Sequence, residues 1–308
     1  MIRNFGTPDQ FQNNLLTQNI HHIIPSSKLK AILTPGIVLM LVSTLFFALM
    51  QSIVKELDDL HVFQIIFFRA GITSILCMWY LRRRRLPLIG NSQKFLVLRS
   101  VFGVISMILF FITLQEMPLG VSVSLKYLAP VFTAILAVLF LDERVQVIQW
   151  IFFVIAIGGV FLLKGFDTRV ETLYLILGIS GALCYGIVYV LIRKIGTSEH
   201  PMVIINYFML LATILSAISL FWFWRTPTIY ESVLLLIIGV MGYYAQIFMT
   251  KALQMDLASR VAPVKYMELI FSLIIGLVWF GESYTFLGFI GIMMILVGMI
   301  VNIWVKRM

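Results

Sequence analysis

Two stretches of one pattern decide how this chain is read: Leu125-Lys126-Tyr127-Leu128-Ala129-Pro130-Val131-Phe132-Thr133, running on to Glu143, and Val264-Lys265-Tyr266-Met267-Glu268-Leu269-Ile270-Phe271-Ser272, running on to Glu282. A shift of 139 positions lays one on the other, so that Lys126 meets Lys265, Tyr127 meets Tyr266, Phe132 meets Phe271, Ile135 meets Ile274 and Glu143 meets Glu282. A lysine inside an apolar helix is costly near the centre of a bilayer. A chain that keeps one at the same place in both halves is using the two together.

Hydrophobic residues make up 61% of the chain and charged residues 12%, with a mean hydropathy of +1.01. Lipid is the solvent for most of such a chain. The formal net charge of +9 would suggest nucleic acid in a soluble protein, but here the cations sit mainly in the breaks between apolar runs, where they set orientation. No nucleic-acid partner is expected. Cys77 and Cys184 fall inside apolar runs and imply neither a disulfide framework nor a metal cluster.

Residues 1–34 are polar and lack the continuous apolar core of a cleavable signal, so they read as a cytoplasmic tail. From Pro35 onward come apolar stretches of about 18–24 residues, each enough to cross ~30 Å of hydrocarbon at about 1.5 Å per residue. They number ten, at approximately 35–54, 62–81, 95–114, 119–141, 146–164, 172–193, 201–224, 231–253, 258–280 and 285–305. The run Arg82–Arg85, with Lys94, Arg193, Lys194, Lys306 and Arg307, falls on the side of the basic tail; Lys55, Lys164, Arg169 and Arg225 are on the other. The positive-inside rule then puts both termini in the cytoplasm. The shift of 139 also carries Gly103 onto Gly242, Leu114-Gln115 onto Leu253-Gln254 and Gly159 onto Gly298, and the first stretch matches the sixth if one residue is dropped. The expected fold is an all-α integral membrane protein of ten transmembrane helices in two five-helix repeats, residues 35–164 and 172–305. Five is odd, so the second repeat enters the bilayer from the opposite side, as in inverted-repeat secondary transporters.

These residues resemble the drug/metabolite transporter superfamily, specifically its EamA-type members. The carriers of the resemblance are Lys126-Tyr127-Leu128-Ala129-Pro130-Val131-Phe132-Thr133, the Asp142-Glu143 helix end, and their counterparts Lys265-Tyr266 and Gly281-Glu282. The resemblance implies a ten-helix transporter. Its nucleotide-sugar and triose-phosphate branches place basic residues on the fourth and ninth helices against anionic substrate groups, and Lys126 and Lys265 occupy similar positions. Phe67-Phe68-Arg69 and Arg99 look like a subgroup that includes organic-anion carriers.

In the fourth stretch Ser122, Lys126, Ala129, Thr133 and Ala137 share one helical face, and in the ninth Val261, Lys265, Glu268, Ser272 and Gly276 do. The small residues on these faces would let the two backbones approach, leaving the lysines to face a cavity near mid-membrane. Snorkelling to the interface is the competing reading of each lysine. Glu268, three residues after Lys265, either neutralises it or holds a lysine until the solute arrives and carries a proton in the cycle. Arg69 has Phe208 as its counterpart and is a candidate for the solute; Arg99, one turn into its helix, reads as reaching for headgroups. Tyr127 and Tyr266 line the cavity or bond across helices, with Tyr185 and Asn206 as further candidates. Glu143 and Glu282 read as caps or gate elements.

His21, His22, His61 and His200 have no metal or triad spacing, and no phosphate-cradling glycine loop occurs. No catalytic residue, metal or cofactor is therefore expected. The reading is a secondary transporter of a small organic anion or zwitterion, driven by protons or a counter-substrate, and the resemblance implies export across the cytoplasmic membrane. Its rivals are an exporter of uncharged or cationic drugs and metabolites, and an intramembrane lipid-modifying enzyme, which would need a polar catalytic cluster that the sequence lacks. The orientation is testable: cysteines placed at either terminus should be protected from an impermeant reagent in intact cells and one at residue 169 should react. Labelling of the termini would refute it.

Overall fold

The computed structural model describes residues 34–141, 147–166, 171–255 and 262–305. Regular structure among them is helical: α1 (Pro35–Glu56), α2 (Val62–Arg83), α3 (Gln93–Glu116), α4 (Leu119–Lys126), α5 (Ala129–Leu141), α6 (Val147–Phe166), α7 (Thr172–Ile195), α8 (Pro201–Phe223), α9 (Ile229–Met255), α10 (Met267–Trp279) and α11 (Phe286–Val305), with short 3₁₀ segments at Gly196–Ser198 and Ala262–Tyr266. Six of these, α1, α2, α3, α7, α8 and α9, contain spans long and apolar enough to cross a membrane. Their outward faces carry large exposed apolar side chains such as Ile75, Trp79, Phe221 and Trp222, a surface that suits lipid. The protein is an all-α, multi-pass integral membrane protein. The N-terminal tail before Thr34, Glu143, Arg169, Lys306 and Arg307 lie outside the described residues.

The helices start where local chemistry tells them to. Thr34 accepts the Ile37 N–H at 3.3 Å with Pro35 following as the first helical residue. His61 and His200, one repeat shift apart, cap α2 and α8 in the same way, each Nδ1 accepting the backbone N–H two residues on, at 3.3 and 3.2 Å. Sequence spacing gave these two histidines no role; their shared role as caps appears only in three dimensions.

The fourth and ninth stretches are not the continuous helices that their periodicity suggests. Pro130 has no N–H to give the Lys126 carbonyl, and its ring excludes that carbonyl sterically. The chain answers with tight i→i−3 bonds, Tyr127 N to Ser124 O and Leu128 N to Leu125 O, both 3.0 Å, which end α4 at Lys126 and restart the helix as α5. In the second half the 3₁₀ segment Ala262–Tyr266 precedes α10. Both interruptions fall at the Lys-Tyr pair.

Packing repeats when the halves are exchanged. α1 lies against α9 as α7 lies against α3; α1 lies against α10 as α7 lies against α5; α2 pairs with α8, and α6 with α11. Of the two faces expected to meet, the Thr133 side chain and the Gly276 position have other neighbours, and the Ala137 side chain lies outside those described. Thr133 instead bonds the Ala129 and Gly186 carbonyls against α7, Gly276 packs on Glu282 and Tyr284, and α10 crosses α4. The i→i−3 bonds at Tyr127 and Leu128 separate α5 from α4, and it is α4 that packs on α10.

The α6–α11 pair depends on Gly159. A Cβ there would stand 2.5 Å from the Gly291 carbonyl oxygen and 2.9 Å from Ile295 Cγ1, whereas at neighbouring Gly158 it would meet only the mobile end of Met294 at 3.4 Å. Gly159→Ala should cost about 1–3 kcal/mol by overpacking and Gly158→Ala should be close to neutral. Thermal unfolding of the two purified variants in detergent checks this; equal midpoints would contradict it.

Candidate functional site

At the two interruptions the structure builds a charged cluster in the middle of the bundle. Lys126, the last residue of α4, forms an ion pair with Glu268, in the first turn of α10. The carboxylate is fully buried and the lysine side chain 16% exposed. Each charge sits at the helix end whose dipole favours it, a cation at a C-terminus and an anion at an N-terminus. Gln51 of α1 donates to the same Glu268 oxygen at 2.7 Å. The Tyr127 hydroxyl donates to the Lys265 carbonyl at 2.7 Å and lies 3.3 Å from the other Glu268 oxygen, and its ring meets that of Tyr266 at 4.8 Å.

Glu268 therefore serves the lysine of the other half, not Lys265, its neighbour on the chain. Lys265 lies in the 3₁₀ segment, where the α-helical spacing that would stack it on Glu268 does not hold. Its Nζ instead donates to the Tyr189 hydroxyl at 3.1 Å and sits 5.8 and 5.7 Å from the Tyr185 and Tyr189 ring centres. Among the described residues it has no carboxylate within ion-pair range.

Lys126, Lys265, Glu268 and Arg69 all line one central cavity of about 80 Å³, and so does Arg99. Tyr127 and Tyr266 flank it in a side chamber of about 130 Å³ shared with the two lysines. Arg99 is not among headgroups. It is buried and stacked at 4.4 Å on Phe208, because the ring of α8 offers its guanidinium a closer face than the membrane surface does. Tyr185 lines the cavity as read, but Asn206 does not: it faces Ser74 at 3.3 Å beside a lateral groove. Gln51 and Tyr189 are new members. A glutamine within an apolar helix was a visible signal for the first, and the four-residue spacing from Tyr185 for the second.

The centre opens one way. A vestibule of about 530 Å³ continues from Arg99, Tyr185 and Lys265 past Ile192 to Gly196 and Glu199, a volume within the roughly 300–1,000 Å³ of small-ligand sites. The opposite face is shut around Glu282. Its carboxylate takes the Lys55 ammonium at 3.2 Å, the Leu119 N–H at the start of α4 at 2.9 and 3.1 Å and the Tyr284 hydroxyl at 2.6 Å. Lys55 also donates to the Met117 carbonyl at 2.7 Å. One carboxylate thus ties α1, the start of α4 and the end of α10 into a plug, and Gly281 makes the turn behind it at a φ of +60° that suits glycine.

A broken-helix charged cluster between two pseudo-equivalent halves, open on one side and plugged on the other, is what a transporter needs. Residues 34–164 match the EamA-like transporter family, and residues 172–304 match it a second time. The chain belongs to the EamA-like transporter family. The pseudopaline exporter CntI of Pseudomonas aeruginosa is 29% identical over 245 residues, covering 78% of this chain and 86% of the relative. Solute carrier family 35 member G1 of Homo sapiens is 31% identical over 281 residues, 85% and 77% of the two chains, and the S-adenosylmethionine uptake transporter of Rickettsia bellii is 28% identical over 227 residues, 72% and 77%. A solved crystal structure shares the fold at a TM-score of 0.63 and 16% identity, with 88% of this chain and 97% of the other covered. The EamA protein described here is thus a membrane transporter of metabolites and not an enzyme.

The plug makes a prediction. In a background with Cys77 and Cys184 replaced, Ser272→Cys, buried on α10, should be unreactive to a membrane-impermeant maleimide from the plugged face and become reactive when Lys55→Met or Glu282→Gln is added. Equal protection in all three backgrounds would show that Glu282 is only a helix cap.

Proposed function

We propose that this EamA protein is a secondary transporter that exports a small organic anion or zwitterion by alternating access. The carrying observation is Lys265. It faces the vestibule with the two tyrosines Tyr185 and Tyr189 for company and, among the described residues, no carboxylate within ion-pair range, because the carboxylate beside it in the chain is taken by Lys126. An ammonium in that position gains much more from an arriving anion than it would in water. The two lysines line one cavity, so an anion can reach both, and it then competes with Glu268 for Lys126.

That competition supplies a coupling device. When the solute takes Lys126, Glu268 is left buried without its cation, a state relieved by taking up a proton or by return of the ion pair as the solute leaves. Proton coupling and exchange against a counter-substrate both follow from this one carboxylate. The vestibule opens beside Gly196 and Glu199, on the face that the positive-inside rule makes cytoplasmic, so the arrangement is the one in which an exporter in the cytoplasmic membrane loads, with both termini inside. Among the relatives one is named an exporter and another an uptake transporter; the loading geometry is what favours export here.

The test uses purified protein in proteoliposomes. Lys265→Met should weaken binding of an anionic solute by about 2–5 kcal/mol, the range for truncating one member of a desolvated charge pair, with expression unchanged. Lys126→Met strands Glu268 and should also destabilise the fold; adding Glu268→Gln should restore stability and not binding. Glu268→Gln alone should keep or tighten binding and alter the pH dependence of transport. Near-wild-type anion binding in both lysine variants would overturn the proposal in favour of an uncharged or cationic solute.

A further inference from the structure

Two guanidiniums line the central cavity, and the lysine chemistry uses neither. Arg69 of α2 is 5% exposed and Arg99 of α3 is 8% exposed. Each lies over a ring, Arg69 at 5.4 Å from the centre of Phe111 and Arg99 at 4.4 Å from that of Phe208. Among the described residues no carboxylate is within ion-pair range of either. Arg69 points its donors at the sulfur atoms of Met50 and Met107, which are weak acceptors, and among the described residues Nε and Nη1 of Arg99 have no partner. Buried cations without counter-charges are costly. Two of them on one cavity wall mark a place that something negative fills.

The repeat shows that the place is built. Gly103 and Gly242 are equivalent under the 139-residue shift, and each lies beneath one arginine. A Cβ on Gly103 would come 3.3 Å from Arg99 Nη1 and 3.1 Å from the Phe208 ring; one on Gly242 would come 3.6 Å from Arg69 Nε. Phe208, the ring under Arg99, occupies the position equivalent to Arg69. Two pairs of equivalent positions, 103 with 242 and 69 with 208, thus help to seat the two guanidiniums, while Arg99 has Ile238 as its counterpart. Arginine rather than lysine suits the task, since its planar fork matches the two oxygens of a carboxylate and stays charged when desolvated.

Charge balance sets the solute. Glu268 cancels Lys126 and leaves Lys265, Arg69 and Arg99 around the cavity. A monoanion would neutralise one of these three. We propose that Arg69 and Arg99 form a second anion subsite, and that the solute carries at least two carboxylates, one held by the lysines and the other by the guanidinium pair. This rests on the anion reading of the lysine pair, and the experiment separates the two.

Binding to the purified full-length protein is measured for α,ω-dicarboxylates of increasing chain length, each beside the monocarboxylate of the same length. At the chain length that spans the two subsites the dicarboxylate should bind about tenfold or more tightly than its monocarboxylate, the worth of one additional charge-assisted contact. Arg99→Gln and Arg69→Gln should each bring the dicarboxylate down to the monocarboxylate level, and an unchanged thermal unfolding midpoint in detergent shows that the variants are folded. Arg99→Lys, which keeps the charge and loses the fork, should fall between and carries the test if the glutamine variant does not fold. Lys265→Met should weaken both ligands. Equal affinity of the two series at every length, or a preference that survives both arginine substitutions, overturns the second subsite and leaves the lysine reading standing. If neither series binds while uncharged or cationic metabolites do, the anion reading fails first and the subsite with it.

Discussion

Placing a charge in low dielectric is the constraint from which this molecule follows. Lys126 and Glu268 belong to opposite halves, and both are tolerable in the bilayer interior only because they meet. Their pairing joins the two repeats at the centre, and the rest of the cluster supports it: Gln51 from α1 holds the carboxylate, and Tyr127 bridges toward the Lys265 backbone. The ion pair is costly to assemble and costly to break. In a static protein such a pair contributes little net stability; in the proposed cycle the same balance lets an arriving anion exchange for Glu268 at small net change.

The backbone makes this arrangement affordable. A continuous helix would leave Lys126 in mid-element with no dipole to favour it, and Glu268 likewise. By ending α4 at Lys126 and starting α10 just ahead of Glu268, the two interruptions give each charge a complementary helix terminus. They also free carbonyls near the solute path, one of which, that of Lys265, takes the Tyr127 hydroxyl. Non-helical backbone at membrane depth is tolerated where it lines a cavity, and these breaks do so.

Much of the site was legible because a repeated lysine in an apolar run has few innocent explanations. Lys126, Lys265, Glu268, Arg69, Tyr127 and Tyr266 do gather around one centre and its side chamber. What periodicity could not convey was the partner of Glu268. Spacing along one helix put it on Lys265, but the 3₁₀ geometry broke that spacing and a residue 142 positions away won. The same limit hid Arg99. One turn into a helix, a long side chain can reach headgroups as readily as a cavity, and only the position of the Phe208 ring on α8 decides between them. Pro130 carried the signal for the broken helix, and its meaning depended on the residue four places back being Lys126.

The plug on the face opposite the vestibule completes the logic of alternation. Glu282 holds the N-terminus of α4 while Lys126 occupies its C-terminus, so this eight-residue helix is pinned at both ends by acidic residues flanking α10, Glu268 at its start and Glu282 just beyond its end. In the proposed cycle, a solute that pulls Lys126 away from Glu268 loosens one pin. The other then bears α4 alone, and Lys55 can follow whichever way Glu282 moves. α4 and α10 are thus linked by an ion pair at the centre and, at the plugged end, by the Glu282 carboxylate on the Leu119 N–H, which in the proposed cycle gives a direct mechanical path between binding and opening. The shift of 139 puts Glu143 at the place of Glu282 but Ala129 at the place of Glu268, so the central carboxylate comes from one half alone.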